Sequence, residues 1–439
     1  MQDIIPPEQL KQKVKKIPSK PSVAAGRVPS TPAAMPKVDE TIELDEGGGE
    51  ATPDKKKLLR RPRPSQWSFD WWRAWSRRRK IITSAVVFVL LVGATTAAVS
   101  SFFWRTTEPG YSFTRHKKKV AAVTTVASPL TGLQVDPTLA ARPVTGIMIE
   151  NSDAARPQSG LQDAGVVYEA IAEAGITRFL ALFQDASPQY IGPVRSLRPY
   201  YIDYAAQYQA SIVHVGGSPD ALAEVSNGSF RNLDEFANSG AFWRISTRYA
   251  PHNVYTSFAN LDKLNQSRGY TTSAYTSWPR KQDKKLAVPT AKTIDFSISS
   301  PDFYAHYDYD AASNSYLRSE GGAAHLDLVS AADKTGVQLK PKVVIAIVVP
   351  QSQGALDASG AYYTDYTTNG SGTAYIFQDG GVTQATWNKA DQGTMLTFTD
   401  GSGKPIKLNA GQTWITLVSD TNKVSYSAPP PPAAPAKKQ

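Results

Sequence analysis

From Ile81 to Trp104 the chain runs for 24 apolar or small residues without a single charge. The hydrocarbon core of a bilayer takes roughly 20 such residues as a helix, so this stretch is long enough to span it with some tilt. It begins about eighty residues into the chain, too deep for a cleaved secretory signal with a short basic leader. The expectation is a signal anchor that stays in the product, giving a single-pass membrane protein.

Charge sets the expected orientation. The formal net charge is +10. Residues 1–80 hold 18 Lys/Arg against 10 Asp/Glu, and the rest of the chain holds 30 against 28. Arg77, Arg78, Arg79 and Lys80 abut the apolar run, with Arg60, Arg61, Arg63 and Arg73 behind them. Arg105, Arg115, Lys117, Lys118 and Lys119 oppose them more weakly. The positive-inside rule therefore places the N-terminus in the cytoplasm and the larger part outside the plasma membrane. Residues 1–80 read as a disordered tail that cannot bury a core; 1–64 are rich in Pro, Lys, Ala and Glu, with an acidic patch at Asp39–Glu50. Trp67, Phe69, Trp71, Trp72 and Trp75 stand beside the basic cluster. Segment 67–80 is thus expected to lie on anionic lipid headgroups of the cytoplasmic leaflet. Nucleic acid is the weaker reading, because the charges crowd the membrane and no recognised binding fold surrounds them. The chain has no cysteine, which excludes disulfides, a thiol nucleophile and thiolate metal sites.

Beyond the anchor (81–104), residues 105–140 read as a linker. The length that follows is enough for two domains: an α+β domain over 141–280 and a smaller strand-rich domain over 290–425, then a Pro/Ala/Lys tail over 426–439. Trp278-Pro279, a run of lysines and Pro289 mark the expected break between Ser277 and Thr293. In the first half, 144–150 reads as a strand, and 166–173 with 176–184 as a hairpin turned at Ala174-Gly175. Segment 211–215 reads as a short buried strand. Helices are expected from Ser196 through 200–209, from Ser218-Pro219 towards Gly228, and from Thr256 to about Gln266. Strands are expected in the second half at 294–298, 303–309, 343–349, 373–377, 394–399 and 413–418, with turns at Asp379-Gly380-Gly381 and Asp400-Gly401.

The first half is dense in polar motifs: RPQSGL (156–161), EAIAE (169–173), TRF (177–179), GPVRSLRP (192–199), HVGGSPDA (214–221) and FWRISTRYAPHN (242–253). Gly and Pro fix backbone shape where a side chain must be aimed or a guest must come close. The motifs carry Arg156, Arg178, Arg195, Arg198, Arg244 and Arg248, whose planar forks match carboxylate and phosphate. If they converge, the natural guest is an anion. Gly216, Gly217 and Ser218 open a helix and so offer free N–H groups at the same place. His214 and His252 are the weak candidates for an acid or base, with Asn253 beside the second. Blander readings stand next to these. Arg195 and Arg198 can pair with Glu169, Glu173 or Asp203; His214 can be a hydrogen-bonded core histidine; Asn253 can be a turn residue. Glu169 and Glu173 would lie roughly 6 Å apart in a helix but about 13 Å apart in a strand, and the strand reading disfavours a two-carboxylate glycosidase site. GGS lacks the spacing and lysine of a nucleotide loop. A triad of Ser218, His214 or His252, and Asp203 can be drawn only on paper. His325 with Asp327, or His214 with His252, lack the spacing of a metal site, so no metal or cofactor is expected.

Together, ARPQSGLQDAGVVYEAIAEAGITRF, YIGPVRSLRPYYID, HVGGSPDA and RYAPHN, with YDYDAASNSYLRS, the HLD at 325–327 and GKPIKLNAGQTWI further on, resemble the YerB-like family of bacterial envelope proteins. The resemblance covers about 143–418 in the family's two-domain order. It implies a layered α+β N-terminal domain and a smaller strand-rich C-terminal one. Lipoprotein members are held by an acylated cysteine; this chain has none, and its apolar run takes that place. The family carries no established reaction, so no catalytic residue transfers. The first functional expectation is a binding module for an anionic envelope ligand or an acidic partner protein. The alternatives are a metal-independent hydrolase or transferase acting on cell-wall or phosphate-ester substrates, and a scaffold without a small ligand.

Overall fold

A computed structural model describes residues 75–105, 124–357 and 359–427. The tail before residue 75, residues 106–123 of the expected linker and the last residues from 428 lie outside the described residues.

Helix α1 (Arg77–Arg105) contains the apolar run. Its Arg77–Thr96 stretch is long and apolar enough to cross a membrane, and none of that stretch is buried against protein. A helix apolar on all sides needs cover, and lipid is one medium that supplies it. This helix falls in one compact unit (residues 1–115) and everything below in a second (116–439).

In the second unit helices are few and strands many, arranged in several sheets. The strands on the path of the main sheet are β1 (Thr145–Glu150), β2 (Val166–Glu173), β3 (Ile176–Phe183), β4 (Ser211–His214), β5 (Arg231–Asp234), β6 (Val343–Val348), β7 (Gly370–Gln378), β8 (Gly381–Lys389), β9 (Thr397–Thr399) and β10 (Thr413–Val418). They lie in the order β9-β8-β7-β6-β10-β2-β3-β1-β4-β5, so strands from both sequence halves share one sheet. The link is β10, which pairs in parallel with β6 on one side and β2 on the other. Every residue of TWITLV is buried, as a central parallel strand covered on both faces requires. β2 and β3 form the expected hairpin, and Ala174 (φ 52°) and Gly175 (φ 78°) both take the left-handed conformation of a tight primed turn. A hairpin of Gln351–Leu356 and Tyr362–Tyr366 leans on β2 through the Tyr363–Glu173 pair.

Alternation along the strands sends side chains to two cores. On one face Met148, Tyr168, Leu180 and Ile415 pack with Tyr200, Tyr201 and Tyr204 of α2 (Pro199–Ala206) and Ala221 of α3 (Pro219–Val225). On the other, Ile149, Val167, Phe179 and Trp414 pack with Phe258 and Leu261 of α4 (Phe258–Ser267). Further along that face, Val344, Ala346 and Phe377 meet a five-stranded sheet that contains Thr293–Phe296, Ala305–Asp310 and Ser315–Glu320. Between Ser277 and Thr293 the only strand is Arg280–Lys281, which pairs with Leu408–Asn409.

Two helix starts differ from expectation. Pro199, with its fixed φ, takes the first helical position, so α2 begins after Arg198 rather than Ser196 and ends at Ala206. The cap of α4 is Ser257, whose hydroxyl accepts from the Asn260 N–H; Thr256 instead ends a strand and donates to Ala241 O. Ser218 caps α3 as expected, accepting from the Ala221 N–H.

Candidate functional site

What a charged group on a strand can do depends on which face of the sheet it occupies. Glu150 ends β1 on the α2 face and is almost fully buried. Its Oε1 accepts from His252 Nδ1 at 2.8 Å and Ser152 Oγ at 2.9 Å, and lies 3.4 Å from Arg195 Nε. Its Oε2 has no hydrogen-bond partner among the described residues. The side chains of Arg195 and His252 are 24% and 27% exposed, and neither the Nη groups of Arg195 nor Nε2 of His252 make a hydrogen bond among the described residues. Arg195, with unused Nη donors, and His252, with an open Nε2, therefore sit near the surface over one buried carboxylate.

The other predicted residues are divided among three places. Arg178 and Arg198 are buried and grip opposite oxygens of Glu173, Arg178 Nη2 at 2.5 Å. Burial would raise the Glu173 carboxyl, but the two guanidinium charges outweigh it and hold it below its ordinary value. Arg248 donates to the carbonyls of Ala155 and Pro157, and Arg244, which is exposed, to Asn253 Oδ1. Asn253 Nδ2 reaches the carbonyls of Ile245 and Arg248, so it fastens its own loop as a turn residue does. His214 is fully buried between Gly216 O (2.8 Å) and Asn232 Oδ1 (2.9 Å). The N–H groups of Gly216 and Ser218 are already taken by Asp234 and Leu197 O, and Gly217 pairs with Leu197. Asp203 accepts from Thr368 and Gln392, so the paper triad with Ser218 does not assemble.

On the opposite face of the sheet Glu169 is buried at the meeting of the two halves. It accepts from Arg318 Nη2 (2.9 Å), Trp414 Nε1 (2.9 Å) and Thr416 Oγ1 (3.1 Å). Arg318 also donates to Tyr307 Oη and His325 Nδ1. The HLD segment closes on RPQSGL: His325 Nε2 meets Gln158 Oε1 at 3.0 Å, and Asp327 accepts from the N–H groups of Gly160, Leu161 and Gln162. His325 and Asp327 thus latch the two halves together. The sequence reading missed Glu150, Ser152, Arg318 and Glu320; the only available cue was that a charge interrupts an otherwise apolar strand at Glu150.

Residues 130–271 match the family described as "Protein of unknown function (DUF3048) N-terminal domain" and residues 293–415 its C-terminal domain. A Bacillus subtilis (strain 168) protein named "Putative lipoprotein YerB" is 32% identical over 306 residues, which is 68% of this chain and 88% of that one. The chain belongs to the YerB-like family. The crystal structure of YerB from Bacillus subtilis matches with a TM-score of 0.60 at 28% identity, covering 69% of this chain and 99% of that one. Both family-model matches begin after α1.

The latch gives stability a pH dependence. Burial pushes the Asp327 carboxyl up to about 7 against its three N–H donors, and burial likewise raises Glu320. An acid with a raised folded pKa binds its proton more tightly in the folded state. Its contribution is complete below the unfolded value, near 4, and is lost as pH rises through 7. Asp379 acts in the opposite sense, held at about 2 by Lys281, Asn314 and Asn409 despite burial, so its contribution is lost in acid. His325 opposes Asp327 and Glu320 below its ordinary 6.5, because burial, with Arg318 and Arg156 nearby, disfavours its charged form. Melting temperature should therefore fall between about pH 7 and 8, and Glu320→Gln should flatten that fall. A profile that rises over this range in the wild type would refute the assignment.

Proposed function

We propose that the folded unit is displayed outside the plasma membrane on α1, with the N-terminus cytoplasmic, and that it is a layered α+β binding module for an anionic envelope component or the acidic face of a partner protein. The observation that supports this reading is the pair of partly exposed groups over Glu150, Arg195 with unused Nη donors and His252 with an open Nε2. Their forks and rings suit phosphate or carboxylate. Arg156, Arg244 and Arg248 lie on the loops that Ser152, Asn253 and His252 belong to and shape this rim. Arg178 and Arg198 are buried and paired with Glu173 and belong to the frame.

The test uses the full chain in lipid nanodiscs, titrated with a polyglycerol-phosphate polymer and with polyglutamate. Arg195→Ala should weaken binding of at least one of them by tenfold or more, roughly 1.4 kcal/mol. Because the Arg195–Glu150 contact is long and Glu150 keeps His252 and Ser152 as donors, the melting temperature should move by no more than about 4 °C. Unchanged binding in Arg195→Ala would defeat the proposal. One observation favours the second reading, a metal-independent hydrolase or transferase: Glu150 orients Nδ1 of His252, leaving Nε2 placed to take a proton. Turnover that survives EDTA and vanishes in His252→Ala is its signature.

A further inference from the structure

Between residues 153–157 of the first half and 320–326 of the second lies a cavity of about 360 Å³, lined in part by Arg156, Asp302, Glu320, Ala323, Ala324 and His325. Glu320 is only 5% exposed. Its Oε1 is crowded with donors: Asn151 Nδ2 at 2.7 Å, Arg318 Nη2 at 3.3 Å and Arg156 Nη2 at 3.5 Å. Its Oε2 lies 3.2 Å from His325 Nδ1, but that nitrogen already accepts from Arg318 Nε and burial keeps the imidazole neutral. Oε2 is left buried without a hydrogen-bond partner among the described residues. Arg156 is pinned by its other nitrogens to Asn151 Oδ1, Asp302 O and Asp153 Oδ1, and stacks over Phe303 at 5.0 Å, while Nη2 is also buried without a hydrogen bond. A buried polar atom left unmatched is costly, so two of them side by side in a cavity point to a guest that satisfies both.

The charges select among guests. An anion entering here meets Asp153, Asp302 and Glu320, and a cation meets Arg156. A hydroxyl group is neutral and both donates and accepts. The remaining wall, from Pro157, Ala323, Ala324 and Leu326, is apolar and suits the C–H face of a ring. The volume is at the small end of ligand sites and takes about one ring. We propose that this cavity holds one neutral sugar residue, with a hydroxyl that accepts from Arg156 Nη2 and faces Glu320 Oε2. This site shares the 151–157 loop with the Arg195–His252 rim but rests on Glu320 and Ala324, which the rim does not use, so either can fail without the other.

The experiment titrates the full chain in lipid nanodiscs with glucose, glucosamine and glucuronate, three rings that differ mainly in charge, and with a neutral trisaccharide. Glucose or the trisaccharide should bind at least roughly tenfold more tightly than either charged ring. Glu320→Gln should weaken that binding by a similar factor. Ala324→Trp, at an exposed position on the cavity wall, should abolish it without shifting the melting temperature. Failure of both neutral sugars to bind would mean that water alone fills the cavity and would overturn the proposal. Tighter binding of glucuronate, or unchanged binding in Ala324→Trp, would overturn it equally.

Discussion

Arg318→Ala should unfold the protein at far lower denaturant than the wild type, at a cost of about 3–5 kcal/mol. Arg318 and Glu169 are both fully buried and 2.9 Å apart. The guanidinium also donates to Tyr307 and His325 and lies 4.5 Å over the Trp414 ring. Alanine removes the positive charge but leaves a carboxylate in the middle of the sheet, far from water. The loss should exceed what the contact itself contributes, because a buried charge without its counter-charge carries the whole desolvation cost. The double variant Arg318→Ala/Glu169→Gln should therefore be less unstable than the two single changes added together. A cost for Arg318→Ala below about 1 kcal/mol would mean that Glu169 finds water or a proton with ease.

Glu173→Ala is the second large effect, again about 3–5 kcal/mol. Here the remaining groups are two like charges, Arg178 and Arg198, each buried and each having used Glu173 as its counter-ion. Removing Arg178 in the same chain should recover part of the loss, since only one guanidinium then lacks its carboxylate. Thermal melts of the single and double variants decide this. If Glu173→Ala melted within about 2 °C of the wild type, the two arginines would have to be solvated, and their place in the frame would be wrong.

The contrast between these groups and the rim shows what a sequence can disclose here. The long apolar helix α1 was legible because its length and lack of charge are one-dimensional properties. The β2–β3 hairpin was legible because apolar strands flank a two-residue Ala-Gly turn. α3 was legible because Ser218-Pro219 is a local capping signal. The strand β8 escaped because its polar residues alternate with buried Ala385 and Trp387 only over part of its length. The latch escaped for a different reason. Gln158 and His325 are 167 residues apart, and Glu169 and Arg318 are 149 apart, so no spacing rule links them. Six arginines in Gly- and Pro-rich motifs read equally well as one anion site or as separate ion pairs. The face of the sheet on which each partner lies divides them, and that depends on register. Two of the six, Arg178 and Arg198, share one carboxylate; Arg195 shares Glu150 with His252.

The position of β10 governs how this protein can come into being. The edges of β2 and β6 stay open until Thr413–Val418 slides between them, and that segment follows both of them in the chain. A nascent chain stalled anywhere before it exposes two sticky strand edges at once, a state prone to aggregation. Closing the sheet therefore waits for Thr413–Val418, and a chain cut before Thr413 would leave a sheet with a gap at its centre.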